Sequence, residues 1–173
     1  MAMHSILVFN ANGEDLLTKY FSIEKKLSGI SEENHSDVIY KHCRTWEDEV
    51  RLQTSKMWMN SLGSNQIART FDDKIIVFRR IDDIIVFATG EDEYDELVLV
   101  EVVDFLVLLI SLICEESKGS KIDETWLLEG NIFGKILVAI DEMMPGGVLE
   151  VFDLDEIINM AKLKPLISKN LSI

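Results

Sequence analysis

Apolar and polar positions alternate along this chain with two different periods, and the change between them marks the elements. ILVF (6–9) is apolar without alternation, as in a strand covered on both faces. Asn12-Gly13 follows, which predicts a two-residue type I′ hairpin turn with positive φ at both positions. The return strand is DLLTKYFSI (15–23), and KIIVFRRIDDIIVFAT (74–89) predicts a second hairpin turning at Asp82-Asp83. These four strands, with another expected within 66–72, predict an antiparallel sheet of about five strands.

Helical patterns fill the intervals. Ser31 is placed to cap a short helix, with Glu32 and Glu33 in its first turn and Val38, Ile39 and Cys43 turned inward. RTWEDEVRLQTSKMWMNSLGSNQ (44–66) keeps no single period: its start suits a helix and LGSNQ a loop, so it reads as a surface insertion. A long helix is predicted over about 93–117, ending in SKGSK, where lysines and a glycine suit a C-terminus. Another runs roughly from Asn131 to Met143 and stops at Pro145-Gly146-Gly147. The last opens at Asp153 with Glu156 three residues on, a capping-box pattern, buries Leu154, Ile157, Ile158 and Ala161, and ends before Pro165. The order β-β-α-β-β-α-α-α defines an α+β fold with helices on both faces of the sheet. A single domain over 1–163 and a tail over 164–173 are expected.

The stretch ELVLVEVVDFLVLLISLIC (96–114) has the length of a membrane span. Glu101 and Asp104 lie in its first half, where each would cost ~2.5–3.5 kcal/mol on insertion, so a core helix is expected. On a helical wheel Glu101, Asp104, Ser111 and Glu115 form one narrow stripe. Leu99, Val102, Val103, Leu106, Ile110 and Ile113 lie opposite and should face the sheet. Val98, Phe105, Leu108, Leu109 and Leu112 then fall on or beside the polar stripe, where an amphipathic surface helix would be polar. Burying one such side chain is worth ~1.5–3 kcal/mol, and contiguous exposed apolar surface marks an interface. These five residues are the expected partner-binding positions; the alternative is that 44–66 or the C-terminal helices cover them within the same chain.

Charge narrows the class of partner. Lys+Arg number 17 against 31 Asp+Glu, a net charge of −14 over 173 residues. That charge repels phosphate backbones and anionic headgroups, so no nucleic-acid partner is expected and any membrane is reached only through other proteins. The N-terminus lacks the basic region of a signal peptide, Ala2 excludes myristoylation, and no prenylation cysteine lies near the C-terminus, so a cytoplasmic location is expected. Cys43 and Cys114 make no disulfide framework, and His4, His35 and His42 lack zinc-site spacing, so no metal is expected. GNIFGK (130–135) is one residue short of a phosphate-binding loop and carries Ile136 where Ser or Thr would hold Mg²⁺. EDEYDE (91–96) and DLDE (153–156) lack the glycine and distal glutamate of a calcium loop. The sequence predicts neither an enzyme nor a cofactor.

Three stretches, ILVFNANGEDLLTKYF (6–21), IIVFRRIDDIIVFATGEDEYDELVLVEVV (75–103) and ILVAIDEMMPGGVLE (136–150), resemble the small longin-like subunits of vesicle coats, the zeta subunit of coatomer and the sigma subunits of clathrin adaptors. The strongest anchor is Asp141-Glu142 followed by Gly146-Gly147-Val148-Leu149-Glu150, and the likeness covers most of residues 5–163. WLLEGNIF (126–133) before GGVLE is similar to zeta, whereas SKIDETW (120–126) stands where sigma chains carry Cys-Glu-Leu-Asp. Sigma chains that read acidic dileucine signals place a basic residue on the second strand; here Leu16 stands there, beside Glu14 and Asp15, which repel an acidic signal. The resemblance implies a non-catalytic COPI coat subunit. It would pair with the gamma-coatomer trunk and other coatomer subunits, and be recruited to Golgi membranes and COPI vesicles indirectly through an Arf-family GTPase, for retrograde Golgi-to-endoplasmic-reticulum transport. The alternatives are a sigma subunit of a clathrin-type adaptor and a longin-type regulator that binds a GTPase or SNARE directly.

Overall fold

Two hydrophobic cores, one on each face of a single sheet, account for the runs that fail to alternate. The computed structural model describes residues 3–21, 35–70, 73–90, 94–118, 122–150 and 153–163. Its strands are β1 (Ser5–Asn10), β2 (Asp15–Tyr20), β3 (Gln66–Arg69), β4 (Ile75–Ile81) and β5 (Ile84–Gly90), in the order β2-β1-β5-β4-β3 with every neighbouring pair antiparallel. Ile6, Val8, Val77, Ile84, Val86 and Ala88 enter one core, while Leu7, Phe9, Ile76, Phe78, Ile85 and Phe87 enter the other. A central strand buried on both sides has no polar face to show, so ILVF and IIVF read as unbroken apolar runs.

The second core is covered by α1 (His35–Thr54) and a 3₁₀ segment, Ser55–Ser61. Trp46 and Val50 are its buried anchors, with Met57 and Trp58 packed at its margin. The Trp46 indole donates to Ser5 Oγ at 3.0 Å, and Phe87 lies between Phe9 and Phe78 with ring centroids 4.9 and 5.4 Å away. Residues 44–66 are therefore no surface insertion. They complete a twenty-residue helix, close one core and lead into β3. The expected inward set at the start of this helix also needs correction, since Val38 is exposed and Ile39 and Cys43 are half-buried. Ser31 lies outside the described residues.

The first core is covered by α2 (Glu96–Lys118), a short α3 (Glu124–Leu127), α4 (Gly130–Met143) and α5 (Leu154–Leu163). Asp153 Oδ1 accepts the Glu156 N–H at 3.1 Å, as its capping pattern predicts. Ile157 and Ile158 are buried and Leu154 half-buried, whereas the Ala161 side chain and Pro165 lie outside the described residues.

Both hairpin tips depart from the simplest turn. Gly13 takes φ +85°, but Asn12 is not in the positive-φ region, so the turn is not type I′. Instead the Asn10 side chain organises it: Asn10 Oδ1 accepts the N–H groups of Asn12 and Glu14 at 2.9 and 3.0 Å. The β1–β2 register shifts between Val8 and Phe9 to fit the longer connection. At the second tip Asp82 takes φ +46°, a conformation Asp tolerates, and its carboxylate accepts Ile122 N–H at 3.0 Å.

Candidate functional site

The surface to be tested is the outer side of α2. By length and composition the segment Glu96–Glu115 can cross a membrane, but it packs on β4 and β5 and against α4 and α5. Leu99, Val102, Val103, Leu106, Ile110 and Ile113 are all buried, as the wheel requires of the sheet-facing side. A helix between a sheet and two other helices needs a wider apolar arc than one resting on a surface. Accordingly Val98, Phe105 and Leu112 are half-buried against the core that contains Ile136 and Ile140 of α4 and Ile157 of α5.

Leu109 is 0% exposed and belongs wholly to that core, so it is removed from the expected partner-binding set. Leu108 is 49% exposed and does face outward. Leu97, which the wheel reading passed over, is 76% exposed and lies on the same outward row as Glu101, Asp104 and Leu108. Its place within 96–114, four residues before Glu101, would have found it.

Polar anchors fix this helix against the β3–β4 edge. Arg79 Nη1 reaches Asp104 Oδ1 at 3.0 Å, Asn65 Nδ2 donates to the same oxygen at 2.8 Å, and Arg69 Nη2 meets Glu96 Oε1 at 2.7 Å. Near the C-terminal end of α2, Leu62, Arg80, Ile81, Ser111, Glu115 and Ile122 line a cleft of ≈ 240 Å³.

A second concavity, ≈ 620 Å³, lies between edge strand β2 and α1, lined by Tyr20, Ile39, Tyr40, Cys43, Arg44 and Glu47 among others. Burial, opposed in part by a hydrogen bond from Tyr20, raises the Glu47 carboxyl above its ordinary range. The Tyr20 phenol lies 3.0 Å from Glu47 Oε1, and burial together with that carboxylate keeps it protonated far above its usual range. Burial and then Glu47 also raise the Cys43 thiol, which disfavours a reactive thiolate. Among the described residues no three His, Cys, Asp or Glu side chains converge as metal ligands.

The glycine anchor in 136–150 has a structural role. Gly146 and Gly147 take φ +61° and +82°, and the Gly147 carbonyl accepts both Met3 N–H at 2.8 Å and Tyr94 O–H at 2.9 Å. Tyr94 Oη in turn accepts Leu149 N–H at 3.2 Å. This loop ties the start of β1 and the approach to α2 to the end of α4. Asp141 of the same motif pairs with Lys19 on β2.

A five-stranded antiparallel sheet with helices on both faces is the longin-like architecture of adaptor small subunits. Residues 2–166 match the family described as clathrin adaptor complex small chain, and the chain belongs to that family. Subunits of this family are structural components of vesicle-coat adaptors. The chain is similar to TSET complex member tstD of Dictyostelium discoideum, with 28% identity over 162 residues covering 94% of this chain and 93% of that one. It also shares its fold with a chain of a homology model of the full-length AP-3 complex in a stretched open conformation, at TM-score 0.56 and 14% identity over 92% of this chain and 91% of that one.

Proposed function

We propose that this chain is the small subunit of a TSET-type adaptor complex, pairing with a large subunit and working as a cytoplasmic coat component peripheral to a membrane. The observation that carries this reading is the likeness to tstD, which runs along nearly the whole of both chains. That likeness favours a TSET-type complex over the COPI coat that the sequence alone suggested. The coatomer zeta reading stays as the second, on the WLLEGNIF and GGVLE segments. The net charge of −14 supports membrane recruitment through partners rather than through anionic lipid. On α2, Leu108 with the half-buried Val98, Phe105 and Leu112 are proposed to meet the large subunit.

Co-expression with three large-subunit trunks from the same organism (TSET-type, gamma-coatomer and clathrin-adaptor) tests the assignment. Size exclusion with light scattering should give a one-to-one complex with the TSET-type trunk. A complex with gamma-coatomer only would transfer the assignment to zeta. A stable monomer indifferent to all three would contradict the adaptor reading and favour a longin-type regulator.

A further inference from the structure

The edge strand β3 and helix α2 are joined at two points, and the spacing of those points defines a surface. Asn65 contacts Asp104 and Arg69 contacts Glu96. From Glu96 to Asp104 the helix rises about 12 Å, while from Asn65 to Arg69 the extended chain covers about 13 Å. The lengths match, so strand and helix run side by side in opposite directions, with Ile67 coming level with Val100. The register Ile67↔Val77 puts Ile67 on the sheet face that α2 covers, since Val77 belongs to the α2 core. Ile67 is nevertheless 42% exposed, because β3 is the last strand and α2 does not reach over it. Ile67, Leu97 and Leu108 thus mark an apolar track beside the edge of the sheet.

The charges along this track share one sign. Arg69 and Arg79 approach it already engaged, Arg69 by Asp73 and Glu96 and Arg79 by Asp104. Glu101 is exposed between Leu97 and Leu108 on the same helical row, and Glu115 lies beyond Leu108 in the cleft it shares with Arg80. From Leu97 to Leu108 the track is about 16 Å long, roughly three helical turns. β3 itself offers only four residues for pairing with an added strand.

We propose that the α2–β3 face docks a basic amphipathic helix of the large subunit, and this rests on the adaptor-subunit reading above. Apolar side chains at helical spacing would lie against Ile67, Leu97 and Leu108, with Lys or Arg beside them facing Glu101.

The test uses the full-length chain co-expressed with the TSET-type large-subunit trunk, comparing Ile67→Glu, Leu97→Glu and Glu101→Lys with Leu52→Glu, an exposed position on α1. Circular dichroism of each free variant checks that it folds. Expected are affinities lowered about tenfold or more by the two face substitutions, as for loss of an interface anchor, with Leu52→Glu unchanged. Glu101→Lys, at an exposed position, should also weaken the pair, and raising the salt should weaken wild type but affect that variant less. A wild-type pair indifferent to Ile67→Glu, Leu97→Glu and Glu101→Lys would overturn the docking face while leaving the adaptor reading in place. No wild-type pair would overturn the reading and the docking proposal together.

Discussion

Gly13 shows how much one position can hold. Its φ of +85° already disfavours any side chain, and an added Cβ would lie 2.9 Å from the Trp58 ring. Arg51 closes the same corner: Nε donates to the Gly13 carbonyl at 2.6 Å, the guanidinium lies 4.6 Å from the Phe9 ring centroid, and its tip pairs with Asp15. Gly13→Ala should therefore cost about 1–3 kcal/mol, measured by urea denaturation; a loss below a few tenths would show that the hairpin tip yields freely. The sequence made Gly13 legible as a turn residue but not as the floor under Trp58, because that contact spans the whole of α1. Glu47 is equally hidden, since nothing in the local pattern WEDE (46–49) marks one of its acids as buried. Since burial raises its carboxyl in the folded chain, folding favours the protonated form. That stabilisation is full below the carboxyl's unfolded range and is lost as pH rises through the raised folded value. Glu47→Gln keeps a partner for Tyr20 and should flatten this fall in denaturation series from acidic to neutral pH. A slope unchanged from wild type would mean that Glu47 titrates alike folded and unfolded.

At the scale of elements, α2 carries two neighbouring leucines with opposite fates. Leu109→Glu would bury a charge without a partner and should cost several kcal/mol, enough to unfold the chain. Leu108→Glu sits on the outer row and should change stability by no more than about 0.5 kcal/mol. Thermal unfolding of the two variants separates them, and similar losses would mean that α2 is rotated from the orientation described. The wheel identified the sheet-facing side of this helix correctly because that side follows from local spacing. It overestimated the free flank because α4 and α5 arrive from later in the chain to cover Phe105, Leu109 and Leu112. The converse error arose at 44–66. There, among the described residues, α1 contributes Trp46 and Val50 to the second core, while polar neighbours are satisfied locally: Thr54 Oγ1 donates to the Val50 carbonyl at 2.7 Å and accepts from the Trp58 indole at 2.8 Å. A buried stripe so thin and so hydrogen-bonded has little hydrophobic period to detect.

Across the whole molecule, the sheet, its two covered faces and the glycine-locked loop after α4 form a scaffold, and what remains outward is acidic surface with scattered apolar positions. The five-stranded α+β architecture was legible in the sequence because hairpins and long helices carry strong local patterns. The exposed apolar positions were only partly legible, because an exposed side chain differs from a covered one through contacts that a sequence does not list. Affinity purification of the tagged chain from its own cells, with quantitative mass spectrometry of what accompanies it, tests the central claim most directly. The account predicts recovery of a TSET-type large subunit in amounts close to one-to-one, lost in a Leu97→Glu, Leu108→Glu double variant that still folds. Recovery of the coatomer set instead, or of the chain without any large subunit, would contradict it.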